Sequence, residues 1–191
     1  MIALLILALA LAMDAFAVAL VRGSAGPHST IRALETGLAF GVAQGVMPLA
    51  GWALGALFVG WLEAVDHWIA FGLLGFLGYR MLREGLESDD DDGDASSEPA
   101  ISGRAYFTAL FVAAIATSID AAAAGLALEL FAVPVLLSCL IIGAITLILC
   151  TPAYWFAARI GPTMGKKAEI FGGVVLIGLG LKILADHSGW L

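Results

Sequence analysis

Long apolar stretches divide the chain into six predicted helices. Each stretch holds about 20 residues with few charges, the length that an α-helix needs to cross a hydrocarbon core of roughly 30 Å. Apolar residues follow one another rather than alternating with polar ones, so the pattern predicts helices and not the strands of a membrane barrel. The predicted helices cover residues 2–22, 34–60, 67–86, 104–127, 131–157 and 168–187.

The composition agrees with an all-α integral membrane protein. Apolar residues make up 61% of the 191 positions, charged residues 13%, and the mean hydropathy is +0.99. A soluble domain would carry roughly a quarter charged residues. The first stretch lacks the basic residues that begin a signal peptide and contains Asp14, so we expect it to be retained as the first membrane helix.

The net charge of −7 belongs to one segment between the third and fourth predicted helices. Seven acidic residues lie between Glu87 and Glu98, while the other nine acids balance the nine Lys and Arg. The segment 87–103 is polar and of low complexity, which predicts a linker without a packed core. It separates a first unit, residues 1–86, from a second unit, residues 104–191.

Basic residues cluster in alternate loops. The second and fourth loops hold none, and the first, third and fifth loops with their helix ends hold Arg22, Arg32, Arg80, Arg83, Arg104, Arg159, Lys166 and Lys167. Because basic loops stay in the cytoplasm, this bias predicts that the 87–103 linker is cytoplasmic and that both termini lie on the opposite side.

Short similarities relate the first three predicted helices to the last three. The matching pairs are 12–15 (AMDA) with 118–121 (SIDA), Pro48 with Pro152, and 78–82 (GYRML) with 180–184 (GLKIL). They keep one order along the chain, which predicts two halves of three helices. Since three is odd, the second half enters the membrane from the opposite side. Such inverted repeats are typical of secondary transporters, whose sites lie at the midplane between the halves.

Two aspartates carry the predicted chemistry. Asp14 and Asp120 lie near the centres of the first and fourth predicted helices, at equivalent positions of the proposed repeat. An aspartate at the bilayer centre costs about 2.5–3.5 kcal/mol. The sole cation expected inside the membrane is Lys182, toward the end of the sixth helix. A cation or proton site is the favoured interpretation, and protonated or hydrogen-bonded aspartates that join helices are the alternative.

Nearby oxygen donors indicate which cation the aspartates would bind. Gln44 is the expected third ligand, and Thr117 lies about one turn before Asp120. Their alternative roles are an interhelical hydrogen bond for Gln44 and back-bonding to its own helix for Thr117. Oxygen ligands suit Mg²⁺, Ca²⁺ or Mn²⁺, and two carboxylates cancel a divalent charge. The residues thus predict transport of a divalent cation, with the direction open.

Met13 and Met47 stand beside the predicted site. A thioether ligand would bias the site toward a transition ion, and packing is the alternative role. Histidine and cysteine are absent near both aspartates, which argues against Zn²⁺ or Cu⁺. Because two like charges in one site disfavour ionisation of both, we expect protons to exchange at Asp14 and Asp120 when the cation leaves.

Several segments resemble the MntP family of manganese efflux pumps, over nearly the whole chain. They are 12–16 (AMDAF), 48–52 (PLAGW), 67–71 (HWIAF), 114–121 (AIATSIDA) and 165–170 (GKKAEI). The resemblance implies export of Mn²⁺ from the cytoplasm across the bacterial inner membrane, with Mn²⁺ as cargo rather than cofactor. The bilayer is the one other partner implied, without nucleic acid, and the oligomeric state stays open.

The same resemblance assigns site residues. The family's membrane aspartates map onto Asp14 and Asp120. Gln44 stands where some similar sequences have a glutamate, so this chain has one carboxylate fewer at that position. The charge of the expected site is correspondingly less negative.

Other classes of protein fit the pattern less well. An intramembrane aspartyl protease also needs two aspartates, but its Gly-x-Gly-Asp motif is absent, since Ser118 and Ile119 precede Asp120. A membrane scaffold or sensor does not need paired midplane acids. An exporter of another solute, such as an amino acid, should show a buried arginine for the carboxylate, and the pattern predicts none.

Overall fold

The computed structural model describes residues 1–25, 29–56, 66–86, 103–128, 133–160 and 163–188, so the acidic linker 87–102 lies outside the described residues. Seven helical segments occupy these ranges. They are α1 (Ile2–Ala25), α2 (Thr30–Ala56), α3 (Asp66–Leu86), α4 (Arg104–Ala116), α5 (Ile119–Gly125), α6 (Val135–Ile160) and α7 (Thr163–Ser188). Because α4 and α5 together fill the fourth predicted helix, the described chain forms six helices, one of them interrupted.

Five helices in the described ranges are long and apolar enough to cross a membrane. They cover Ile2–Ser24, Thr30–Gly55, Arg104–Gly125, Val135–Ala157 and Met164–Ala185. The third predicted helix is present as α3 but does not reach the same hydropathy. Its 21 residues include four charged ones, namely Asp66, Arg80, Arg83 and Glu84. An all-helical membrane protein is therefore confirmed, with five candidate spans rather than the six predicted.

The helices pack mainly in pairs. The most extensive contacts join α3 to α7 and α2 to α6, and α1 packs against both α6 and α7. The short α5 packs on α2. Among the five candidate spans α1 is the most enclosed by protein. Most of its side chains, including that of Asp14, are therefore buried within the bundle.

Glycines allow the main helix pairs to approach closely. A Cβ atom on Gly78 would lie 2.6 Å from the carbonyl oxygen of Gly173, and the reverse distance is also 2.6 Å. Gly41 and Gly143 face each other in the same way, at 2.9 and 2.6 Å. Small residues at such crossings give the backbone contact on which helix association in lipid depends.

Contacts of two arginines with one tyrosine join the ends of α1, α2 and α4 near the first loop. The guanidinium carbon of Arg32 lies 3.5 Å from the centroid of the Tyr106 ring, and that of Arg22 lies 5.5 Å from it. Arg32 also contacts Glu35 at 3.5 Å. These cation–π contacts connect the end of α1 and the start of α2 to the start of α4. They therefore hold these three helix ends together at one end of the bundle.

Candidate functional site

The fourth helix breaks where Asp120 stands. Thr117 and Ser118 separate α4 from α5. The N–H of Ala121, which a continuous helix would direct to the Thr117 carbonyl, donates instead to Asp120 Oδ1 at 2.8 Å. Asp120 thus lies in the first turn of α5, where its carboxylate accepts from a backbone N–H of the same turn. The interruption leaves the Thr117 carbonyl for a partner outside its helix.

Hydroxyl groups explain locally why the break falls here. Thr117 Oγ1 donates to the carbonyls of Ala113 and Ala114 at 3.1 and 3.2 Å, and Ser118 Oγ donates to Ala114 at 2.7 Å. Side chains that bond back to the preceding turn compete with the helical ladder and bend it. The N–H of Ser118 then bonds Ile115, three residues back rather than four, which tightens the turn before α5.

Gln44 connects the surroundings of both aspartates. Its Nε2 donates to the carbonyl of Leu11 at 3.2 Å and to that of Thr117 at 3.3 Å. Leu11 lies three residues before Asp14, and Thr117 lies three residues before Asp120. One fully buried amide of α2 therefore joins α1 to the α4–α5 junction at two positions with the same relation to an aspartate.

The second half of the Gln44 amide is an acceptor without a donor. Its Oε1 is buried and has no hydrogen-bond partner within the described ranges. Pro48 stands four residues later in α2 and has no N–H to give the Gln44 backbone carbonyl its usual helical bond. Gln44 therefore brings two oxygen acceptors to the centre of the bundle, as well as the amide that orients them.

Both aspartates are buried, and each carboxylate lies in the electric field of the other. Asp14 is 7% exposed and Asp120 is 3% exposed. The charge of Asp14 acts on Asp120 through the protein. The fold brings the two aspartates and Gln44 into one region. In that region Asp120 Oδ2 is buried and has no hydrogen-bond donor among the described residues.

Arg80 is the residue that the sequence pattern missed. Its Nη2 lies 3.7 Å from Asp14 Oδ2, so the prediction that Lys182 is the sole cation within the membrane region is wrong. The sequence pattern assigned Arg80 to the cytoplasmic end of the third helix from its position in the chain. Its side chain is long, however, so the guanidinium can lie well away from the Cα atom. A signal did exist, because the 78–82 and 180–184 match places Arg80 opposite Lys182.

Thr117 and two other threonines bond carbonyls of their own helices. Thr117 has the alternative role foreseen for it, since its hydroxyl bonds its own helix and its carbonyl accepts from Gln44. The hydroxyls of Thr146 and Thr151 donate to Ile142 and Leu147 within α6, at 3.0 and 2.9 Å. Because its hydroxyl hydrogen is donated, Thr117 Oγ1 keeps lone pairs that can accept a hydrogen bond or bind a cation.

The two methionines beside the site belong to the apolar core. Met13 is buried in the cluster formed by α1 with the other helices, and Met47 packs against the same cluster. In the described part of the chain no three His, Cys, Asp or Glu residues gather as a metal-binding group. The oxygen donors of the region are therefore two carboxylates with neutral amide, hydroxyl and carbonyl groups, a set that suits hard divalent cations.

Known proteins match this chain over nearly its whole length. Residues 28–184 match the family described as "Mntp: Putative manganese efflux pump". The chain is 43% identical over 187 residues to "Putative manganese efflux pump MntP 1" of Wolinella succinogenes, with 98% of each chain covered. It is 45% identical to the protein of that name, without the final numeral, from Sorangium cellulosum (97% and 96% covered) and 41% identical to that from Serratia proteamaculans (99% and 97%). No solved structure matches the chain.

Proposed function

Because the chain belongs to the MntP family of manganese efflux pumps, we propose that it exports Mn²⁺ from the cytoplasm through a site built on Asp14 and Asp120. The family is one of transporters, so the chain is a bacterial multi-pass membrane transporter and not an enzyme. Mn²⁺ is the cargo, and the family supplies both the ion and its direction of movement.

One observation carries the site assignment. Asp120 Oδ2 is buried at the centre of a membrane helix bundle and has no hydrogen-bond donor among the described residues. An ionised oxygen in such a place is costly unless a cation or proton neutralises it. The nearby Asp14 makes the cost larger, because its like charge acts on the same carboxylate. A divalent cation between the two aspartates removes both costs at once.

Neutral oxygens complete the proposed coordination. Asp14 and Asp120 bind the ion directly, and Gln44 assists through its buried Oε1, which has no donor among the described residues. Thr117 assists through its hydroxyl oxygen, whose hydrogen is directed to the preceding turn. Two carboxylates with two neutral donors give a neutral loaded site, and this donor set suits Mn²⁺ in preference to softer ions.

The proposed mechanism is alternating access between two inverted repeats, residues 1–86 and 104–191. Three features support it. The main packing pairs, α3 with α7 and α2 with α6, join helices that occupy the same place in each half. Gln44 bonds carbonyls at equivalent positions of the two halves. The interrupted α4–α5 helix is typical of transporter sites, where broken helices expose backbone groups to the cargo.

The proposed orientation follows from the basic loops. We place both termini on the periplasmic side of the inner membrane and the 87–103 linker in the cytoplasm. Mn²⁺ then enters from the side of the linker and leaves toward the termini. Protons exchange at the aspartate pair after release, since two vacated carboxylates in one site disfavour ionisation of both.

Export and site are tested together in cells that lack their own manganese exporter. The chain should lower intracellular Mn and restore growth at high Mn. Asp14→Asn and Asp120→Asn should each abolish both effects, because an amide removes one of two charges that balance the ion. Asp90→Asn, the same change in the acidic linker, is the matched control and should protect fully. Membrane abundance of each variant is measured by immunoblot.

Two outcomes would contradict the proposal in different ways. Full protection by both Asp14→Asn and Asp120→Asn at normal abundance would refute the site. A parent chain that never lowers intracellular Mn would refute the cargo. Hard oxygen donors alone also suit other divalent cations, so the same cells are analysed for Mg, Fe, Co and Zn. A selective fall in one of these metals would identify the alternative cargo, and a fall in none would favour a small organic solute.

A further inference from the structure

We propose that Arg80 is a tethered counter-cation of the transport site, which neutralises Asp14 when Mn²⁺ is absent and is displaced when Mn²⁺ binds. This inference rests on the proposed function and concerns how the same site selects and releases its ion. It assigns Arg80 a role in specificity that neither the repeat nor the family resemblance supplies.

The contact between Arg80 and Asp14 is an ion pair of moderate closeness. Arg80 Nη2 lies 3.7 Å from Asp14 Oδ2, whereas a strong charge-assisted hydrogen bond is about 2.7–2.9 Å long. At this separation Arg80 Nη2 and Asp14 Oδ2 attract each other through their charges rather than through a short hydrogen bond. Such a partner can be exchanged for another cation at a small energetic cost.

Charge balance requires the exchange. With Arg80 in place, two ionised aspartates and one guanidinium leave the empty site with one net negative charge. Mn²⁺ between the same aspartates makes the site neutral by itself, so a retained guanidinium would add an uncompensated positive charge in a low-dielectric region. The cation and Arg80 are thus competitors for Asp14.

The partial exposure of the Arg80 side chain allows it to move away from Asp14. Its side chain is 37% exposed, whereas that of Asp14 is 10% exposed. A long side chain with an accessible head group can swing toward water while its stem stays in contact with the bundle. Asp120 offers the entering ion a first contact, because its Oδ2 is without a donor among the described residues. The ion then completes its coordination by taking Asp14 from Arg80.

A built-in competitor explains two properties that a carrier needs. The empty site must change sides, and a guanidinium on Asp14 lowers the cost of moving two carboxylates through the membrane interior. The competitor also sets a threshold for the cargo. A monovalent ion offers no more charge than Arg80 already supplies, so Na⁺ or K⁺ gains little by displacing it, whereas a divalent ion gains one further charge.

Binding to the purified full chain in detergent tests the competition. Arg80→Gln should lower the Kd for Mn²⁺ about fivefold to tenfold, equal to about 1–1.4 kcal/mol, as measured by the loss of the free Mn²⁺ signal in electron paramagnetic resonance. Arg80→Lys keeps a cation and should bind as the parent does. Arg83→Gln is the matched control, because it makes the same change one turn away on α3, where the residue is exposed.

A second readout separates competition from a structural role. Mn²⁺ should raise the melting temperature of Arg80→Gln by more than it raises that of the parent, because tighter ligand binding gives larger stabilisation. NaCl should weaken Mn²⁺ binding to Arg80→Gln but barely affect the parent. Export should fall in Arg80→Gln despite tighter binding, since release and return of the empty site are slower. Arg80→Met is a second neutral variant, suited to apolar surroundings, with the same expectation.

The outcomes distinguish this inference from the proposed function. Equal or weaker Mn²⁺ binding by both neutral variants, with normal binding by the parent and Arg83→Gln, overturns the counter-cation role and leaves the site assignment standing. Absence of Mn²⁺ binding in every protein, including the parent, overturns the proposed function and this inference with it. Tighter binding together with new sensitivity to NaCl supports the role of Arg80.

Discussion

Asp14 and Asp120 occupy matching places in the sequence but different surroundings in the fold. Asp14 lies within the continuous helix α1 and pairs with Arg80 at 3.7 Å. Asp120 lies in the first turn of the short helix α5, after a break. One of its carboxylate oxygens accepts from the N–H of Ala121, and the other has no hydrogen-bond partner among the described residues. Asp14 thus has a charged side chain, that of Arg80, as its partner, whereas Asp120 has a backbone N–H.

Under the proposed inverted repeat, the difference gives two equivalent aspartates unequal surroundings. Under the proposed alternating access, a site that opens to one side cannot present both halves equally in one conformation. The positioned Gln44 is common to both halves, because it bonds the carbonyl three residues before each aspartate. What differs is the charge partner and the helix break. The following predictions test whether these differences or the shared amide dominate.

The largest expected effect comes from filling the contact beside Asp120. A Cβ on Gly125 would press against the backbone of Pro48, with the Pro48 Cα 2.9 Å away. Ala19 lies five residues after Asp14, just as Gly125 lies five residues after Asp120. Ala19 is buried and already carries a Cβ. Gly125→Ala should therefore lower the free energy of unfolding by about 3 kcal/mol, and Ala19→Gly by about 1 kcal/mol. Thermal unfolding in detergent measures both.

Gly75→Ala supplies the control for that comparison. A Cβ at Gly75 in α3 would meet no heavy atom within 4 Å, so the variant should unfold as the parent does or slightly later. If Gly125→Ala were as stable as Gly75→Ala, α5 would have room to move away from α2. The close packing of the half that holds Asp120 would then not be a fixed feature of the fold.

Apolar runs and charge patterns predicted the helices well, because the length of a membrane span and the cost of exposing backbone in lipid leave few alternatives. The two aspartates were identifiable for the same reason, since a carboxylate inside such a run needs an explanation. The pattern did not separate α3 from the other helices. Its four charged residues place it below the hydropathy of the five candidate spans, although it pairs with α7 along its length.

The helix break and the Arg80 contact were beyond the pattern. Thr117 and Ser118 are common in continuous membrane helices, and their bonds to Ala113 and Ala114 depend on rotamers that no spacing rule predicts. The reach of Arg80 depends on how α3 lies against its neighbours. Gln44 as a ligand of the site stays a prediction, and its two carbonyl partners became evident only from the contacts of α2 with α1 and with the α4–α5 junction.

A smaller effect is expected from removing the amide that both halves share. Gln44→Leu keeps the volume but leaves the carbonyls of Leu11 and Thr117 without their donor. The loss of two buried hydrogen bonds should cost about 2 kcal/mol in the free energy of unfolding. Thr36→Val is the matched control in α2, since Thr36 is fully buried and its Oγ1 has no hydrogen-bond partner within the described ranges. It should unfold within about 0.5 kcal/mol of the parent.

Equal stability of these two α2 variants would mean that the carbonyls find other donors when Gln44 is removed. The helices would then be held by packing alone, and Gln44 would be important only for the ion. Mn²⁺ affinity, measured on the same samples, separates these roles. A loss of affinity in Gln44→Leu without a loss of stability would assign the amide to the cargo, whereas loss of both would assign it to the cargo and to the joint between α1 and α4.

The smallest expected effect divides the two aspartates themselves. In buffer free of divalent ions, Asp14→Asn removes the ion pair with Arg80 and should cost about 1 kcal/mol, a modest figure because the Arg80 side chain is 37% exposed and its charge is partly screened. Asp120→Asn removes a buried charge whose Oδ2 has no donor in the described part of the chain, so it should cost nothing or stabilise the fold. The double variant Asp14→Asn with Arg80→Gln should recover the loss, because it removes both members of the pair. Equal melting temperatures for the two single variants would show that Arg80 does not distinguish the aspartates, and the contrast between the two halves would then rest on the helix break alone.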